Sequence, residues 1–139
     1  MHCLPHPQRR KKTQMTDKAT QQRFPFREKI QVKLIGQDAF FGPGPRQLLL
    51  GIQERGSVAG ACKSIGISYS KGRGIIRRME QELGFELVQR RQGGTGGGSA
   101  GLTPKGEMFL AVFARYEDAV QNYAENIFHD YFDELEEIQ

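Results

Sequence analysis

The chain has 139 residues and a mass of 15.7 kDa, enough for one domain with a hydrophobic core plus an extension. It holds no apolar run near the roughly 18 residues of a membrane span and no signal-peptide segment, and Cys3 and Cys62 build no disulfide framework, so a reducing, cytoplasmic location without a membrane partner is expected. The net charge of +4 is segregated, because residues 1–115 carry 20 basic and 8 acidic groups whereas residues 116–139 carry 8 acidic groups and no Lys or Arg, which points the body toward a polyanion and the acidic end away from it.

Residues 1–26 are polar, include the run Arg9-Arg10-Lys11-Lys12 and show no hydrophobic periodicity, so they read as a disordered basic leader able to add nonspecific phosphate contacts. His2, Cys3 and His6, set among Pro5 and Pro7, belong to that leader; neither a metal nor another cofactor is predicted. The folded domain is expected over residues 27–103. Gln31 to Ile35 alternates polar and apolar side chains like a short strand, and Phe40 and Phe41 anchor the chain to the core. Pro43-Gly44-Pro45 interrupts the chain, and a helix is expected from Pro45, with Leu48, Leu49, Ile52 and, as a further candidate, Leu50 on its buried side and Gly56 at its end.

The stretch from Ser57 to Gly84 predicts two short helices joined by a tight turn. Ser57 caps the first, whose apolar stripe is Val58, Ala61, Cys62 and Ile65; Gly66-Ile67-Ser68 makes the turn, and Ser68 caps the second. On the second helix Tyr69, Gly72, Ile76, Met79 and Leu83 fall on one face, and Ser70, Lys71, Gly74, Arg77, Arg78 and Gln81 on the other. An apolar face backed by a basic, polar one is what a helix laid in the DNA major groove requires.

Phe85 to Gln92 alternates again, with Arg90 and Arg91 near its end, and is followed by the glycine-rich GGTGGGSAG loop. Strand, loop and return strand would make a wing. Thr103 and Pro104 then cap and open a long helix, expected over residues 104–139 with an acidic end. Phe109, Phe113, Tyr116, Val120, Tyr123 and Ile127 recur with a 3.5-residue period, which favours dimerisation through that stripe, while the same stripe could instead close the domain's own core. The expected fold is mainly α with a small β wing: a winged helix-turn-helix with a long C-terminal dimerisation helix.

The words of the sequence agree with that order. Ile76 to Arg91, IRRMEQELGFELVQRR, resembles LysR-type transcription regulators, and GSVAGACKSIGISYSK together with GGTGGGSAGLTPKG resembles the DNA-binding domain of ModE-type molybdate-responsive regulators. The resemblance runs from about Val32 to Tyr123 and implies sequence-specific binding of double-stranded DNA by a dimer that regulates transcription. Where the ModE-type pattern usually has Ala-Trp this chain has Gly72-Arg73, so the operator is not expected to carry over, nor is the small-anion-binding domain of that family expected here.

For DNA, Lys71, Arg73, Arg77 and Arg78 are the candidates for phosphates or guanine edges, with Ser68, Tyr69 and Ser70 bonding phosphates. Arg90, Arg91, Thr95 and Lys105 of the wing would hold the adjacent backbone. Two other readings stand beside this one: a winged-helix module for a protein partner, and a nucleotide-binding protein using Gly96, Gly98 and Gly101 as a G-x-G-x-x-G loop. The latter lacks the Lys-Ser/Thr ending of a P-loop. No catalytic constellation is apparent, so an enzyme is not predicted. Molybdate binding is not expected either, because the eight carboxylates after Arg115 repel an anion and Arg90, Arg91 and Lys105 are those needed for DNA phosphate.

Overall fold

The computed structural model describes residues 24–91 and 99–137. A short hairpin, β1 (Leu34–Ile35) and β2 (Ala39–Phe41), leads into three helices, α1 (Pro43–Arg55), α2 (Val58–Ile65) and α3 (Tyr69–Leu83). A second antiparallel pair, β3 (Val88–Arg90) and β4 (Ala100–Leu102), is followed by the 29-residue α4 (Pro104–Phe132) and the short α5 (Glu134–Glu137). Among the described residues no helix is long and apolar enough to cross a membrane.

Local chemistry explains the helix limits. Gly56, Gly66 and Gly84 end α1, α2 and α3 with φ of 74°, 77° and 83°, a left-handed conformation that closes a helix without the Cβ clash other residues meet. The first helix starts at Pro43, two residues before the expected Pro45, because the Gly42 carbonyl already accepts from the Arg46 amide at 3.0 Å. The first strand is shorter than Gln31 to Ile35, since the Val32 amide donates not to a neighbouring strand but to the Glu117 carboxylate at 3.0 Å, and Ile35 is 70% exposed.

Every element but α5 sends side chains to one core. Leu48, Leu49 and Ile52 of α1 meet Ala61 and Cys62 of α2, Ile76 and Met79 of α3, Ala100 and Leu102 of β4, and Leu110 and Phe113 of α4. Phe41 is the hub at the hairpin side, its ring edge-on to Phe109 at 4.8 Å and to Phe113 at 4.7 Å.

Ahead of the hairpin, residues 24–33 run along α4. The Ile30 amide donates to Gln121 Oε1 at 2.8 Å, and Gln121 Nε2 donates to the Glu28 carbonyl at 3.3 Å. Glu117 ties this strap to α1 as well, accepting from Arg46 at 2.7 Å. Phe24 and Phe26 close its far end against Phe128 and Phe132. Of the leader expected over residues 1–26, residues 1–23 lie outside the described residues, while 24–26 are packed on α4 because two aromatic rings make the contact worthwhile.

Candidate nucleic-acid interface

The two helices of the Ser57 to Gly84 unit are capped as their side chains require. Ser57 Oγ accepts from the Gly60 amide at 2.7 Å, and Ser68 Oγ accepts from the Lys71 amide at 3.1 Å. Between them the Ile67 amide donates to the Cys62 carbonyl at 3.0 Å, closing the turn. Where α3 crosses α2, Gly72 lies directly against the Cys62 thiol, and that burial raises the thiol's pKa. A Cβ at position 72 would force the thiol or the crossing to shift.

This packing fixes which face of α3 looks outward. Gly72, Ile76 and Met79 are buried, whereas Ser70, Lys71, Arg73, Gly74, Arg77, Arg78 and Gln81 are exposed. Tyr69, expected on the core face, is half exposed instead. Its hydroxyl accepts from Arg73 Nη1 at 3.1 Å, and the guanidinium carbon lies 5.8 Å from its ring centroid. At the other end of the helix Arg78 pairs with Asp38 of the hairpin turn at 3.5 Å, and the Gln37 amide donates to Glu82 at 3.3 Å. Arg78 is thus shared between the exposed face and the hairpin.

One residue the sequence reading missed positions the wing. Glu80 accepts from the amides of Leu87 and Val88 at 2.7 and 3.2 Å, so the carboxylate of α3 takes the donors that a longer first strand would have used. Consequently β3 begins at Val88 rather than Phe85. No local pattern announces this, because the acid sits inside a helix and its partners lie past the helix end.

In the wing, β3 and β4 pair Val88 with Leu102, Gln89 with Gly101 and Arg90 with Ala100. The Ala100 amide donates to the Gly56 carbonyl at 2.9 Å, which ties the wing to the end of α1. Arg90 and Arg91 are exposed, and the Arg91 guanidinium lies over Gly101. Lys105 stands over the Phe85 ring at 4.9 Å. Thr95, with Gly96 and Gly98, lies outside the described residues. Gly101 is a paired strand residue, and both sheets of the described chain are antiparallel, so the βαβ unit of a dinucleotide site is not formed among the described residues.

The aromatic stripe of α4 divides. Phe113 is buried and Phe109 half-buried, both spent on the chain's own core, while Val120 and Ile127 are partly covered. Tyr116 and Tyr123 are exposed at 55% and 64%, joined by Met108 and Val112, so the open apolar face keeps these two tyrosines of the expected stripe and has Met108 and Val112 in place of Phe109 and Phe113. The difference arises because Phe41 claims Phe109 and Phe113.

With the helices, turn and wing placed, comparison with known proteins falls on the same stretch. Residues 47–107 match the family of bacterial regulatory helix-turn-helix proteins described as the lysR family. Over that stretch the chain is similar to a LysR-type helix-turn-helix. It is 34% identical over 73 residues to the molybdenum-pterin-binding protein MopB of Rhodobacter capsulatus, an alignment covering 52% of this chain and 27% of that protein. With the DNA-binding transcriptional dual regulator ModE of Escherichia coli (strain K12) it shares 36% over 77 residues, 55% of this chain and 29% of that one. The chain therefore spans under a third of the length of these two relatives. Among solved structures, a complex of the CbnR DNA-binding domain with DNA aligns at a TM-score of 0.46 and 21% identity, over 59% of this chain and 88% of that one. A complex of the BenM DNA-binding domain with benA site 1 DNA aligns at 0.44 and 20%, over 61% and 90%.

Proposed function

We propose that the chain is a cytoplasmic transcription regulator, not an enzyme, that binds double-stranded DNA as a homodimer. In this reading α3 enters the major groove, and Arg90 and Arg91 of the wing hold the neighbouring phosphates, with Thr95 and Lys105 as further candidates. The observation that carries it is the outward face of α3. Lys71, Arg73 and Arg77 stand exposed beside Ser70 and an open Gly74, on a helix whose other face is sealed into the core of a LysR-type helix-turn-helix. Such a face supplies charge for phosphates and donors for base edges without disturbing the fold.

Dimerisation through α4 follows from its exposed apolar residues, Met108, Val112, Tyr116 and Tyr123, which a lone chain leaves in water. Two recognition helices related by a two-fold axis would meet a roughly palindromic operator with half-sites about 34–36 Å apart. A protein-only partner is the second reading, and the basic wing speaks against it, since a neutral partner gives Arg90 and Arg91 no role. The test is selection of bound sites from a random duplex library, followed by titration at several salt concentrations. Enrichment of a palindromic site with a steep salt slope is expected. Equal affinity for all duplexes, or none, would contradict the proposal.

A further inference from the structure

Tyr69 and Arg73 stand one helical turn apart at the start of α3, and both are exposed. Arg73 Nη1 donates to the Tyr69 hydroxyl at 3.1 Å with the guanidinium carbon 5.8 Å from the ring centroid. Among the described residues no carboxylate pairs with Arg73, so Tyr69 alone restrains it. In water neither contact adds much stability. Their consequence is conformational. A long arginine side chain loses rotamer freedom when it docks on a ligand, and one already leaning on a ring has less to lose.

The restraint leaves the group usable. Arginine carries five N–H donors in a planar fork, and the tyrosine hydroxyl occupies one of them. Next along the helix, Gly74 has no heavy atom within 4 Å of where a Cβ would stand, so position 74 puts no side chain in the way of a flat group approaching Arg73. A phosphate would be served by any mobile cation, Lys71 included. A restrained planar fork suits a ligand edge with two acceptors side by side, and in the major groove that edge is guanine O6 and N7.

We infer that Tyr69 is a specificity-determining positioning residue that presents Arg73 to a guanine. This rests on the double-stranded DNA reading above. The core does not depend on the pair, so its removal leaves the fold intact and the recognition effect readable.

The test compares the full chain with Tyr69→Phe, Arg73→Ala and Arg73→Lys in site selection from a random duplex library, with thermal melting to confirm equal folding. The unmodified chain is expected to select a guanine that Arg73→Ala ignores, a loss of discrimination at that base of about tenfold to a hundredfold. Tyr69→Phe should lower discrimination at the same base by about two- to tenfold, measured as the ratio of selected-duplex to scrambled-duplex affinity so that any shared loss of a phosphate contact cancels. Arg73→Lys should keep the salt slope and lose the guanine. An unchanged guanine preference in Tyr69→Phe would overturn the positioning role, and a selected site indifferent to Arg73→Ala would overturn the guanine assignment. If the unmodified chain enriches no duplex, the DNA reading itself fails and this inference with it.

Discussion

Gly72 lies so close to Cys62 that a Cβ at position 72 would collide with the thiol sulfur. The α2–α3 crossing angle, and through it the outward face of α3, rests on that contact. Alanine at position 72 would raise helix propensity by about 1 kcal/mol, whereas overpacking a dry crossing costs about 1–3 kcal/mol. Gly72→Ala is therefore expected to destabilise by up to about 2 kcal/mol in urea unfolding. Adding Cys62→Ala should recover most of that loss. A stabilised single variant would contradict the packing described.

Glu117 joins the strap, α1 and α4, and its titration should be visible. The Val32 amide holds its carboxyl below the usual carboxylate range; partial burial opposes this, and Arg46 and Lys29 add to the lowering. A group whose folded pKa is depressed stabilises the fold above its unfolded value, about 4.3 for Glu, and that contribution is lost as pH falls through the folded value. Hydrogen-exchange protection of the Ile30 and Val32 amides should thus be full at neutral pH and decline in acid. Glu117→Gln should flatten the dependence. Protection that ignores pH in the unmodified chain would refute it.

The two groups of aromatic residues on α4 should behave differently on substitution. Phe113→Ala empties a core position and is expected to cost about 3–5 kcal/mol. Tyr116→Glu with Tyr123→Glu touches exposed rings, so folding should survive while the mass by light scattering falls from dimer to monomer. A monomeric unmodified chain would defeat the dimer, and a dimeric double variant would move the interface elsewhere.

Much of this arrangement was legible in the sequence because it is decided locally. Ser57, Ser68 and Thr103 each cap the helix they precede, and Gly56, Gly66 and Gly84 end theirs, since a cap needs only residues three or four apart. The faces of α3 followed from its period for the same reason, with Tyr69 the exception, because a first-turn side chain can swing outward to meet Arg73. What was not legible depends on contacts distant in sequence. The strap bonds Ile30 and Val32 to side chains 91 and 85 residues away, and Phe41 reaches Phe109 and Phe113 across the whole helix-turn-helix. A periodic stripe on α4 says that one side is apolar; which part faces the core depends on that phenylalanine. The pairing of Arg78, a candidate for DNA, with Asp38 was hidden for a similar reason, since Asp38 lies 40 residues away in the turn between β1 and β2.

Molybdate should leave the chain unaffected. Beyond Arg115 the sequence carries carboxylates and no Lys or Arg, which repel an oxyanion, and Arg90, Arg91 and Lys105 are exposed. Titration calorimetry with molybdate or tungstate is expected to give no saturable heat. A micromolar site that alters DNA affinity would show a pocket formed between copies.

The division of labour between α3 and the wing is the central claim, and salt-dependent DNA titration tests it most directly. Affinity for a selected duplex and for a scrambled one would be measured across a salt series for the unmodified chain, for Lys71→Ala with Arg73→Ala, and for Arg90→Ala with Arg91→Ala. Each phosphate contact removed should lower the slope of log K against log salt by about 0.9. The α3 pair is expected to lose selected-site affinity far more than scrambled-site affinity, whereas the wing pair weakens both alike and flattens the slope by about 2. Identical losses and identical slope changes for the two pairs would contradict the account.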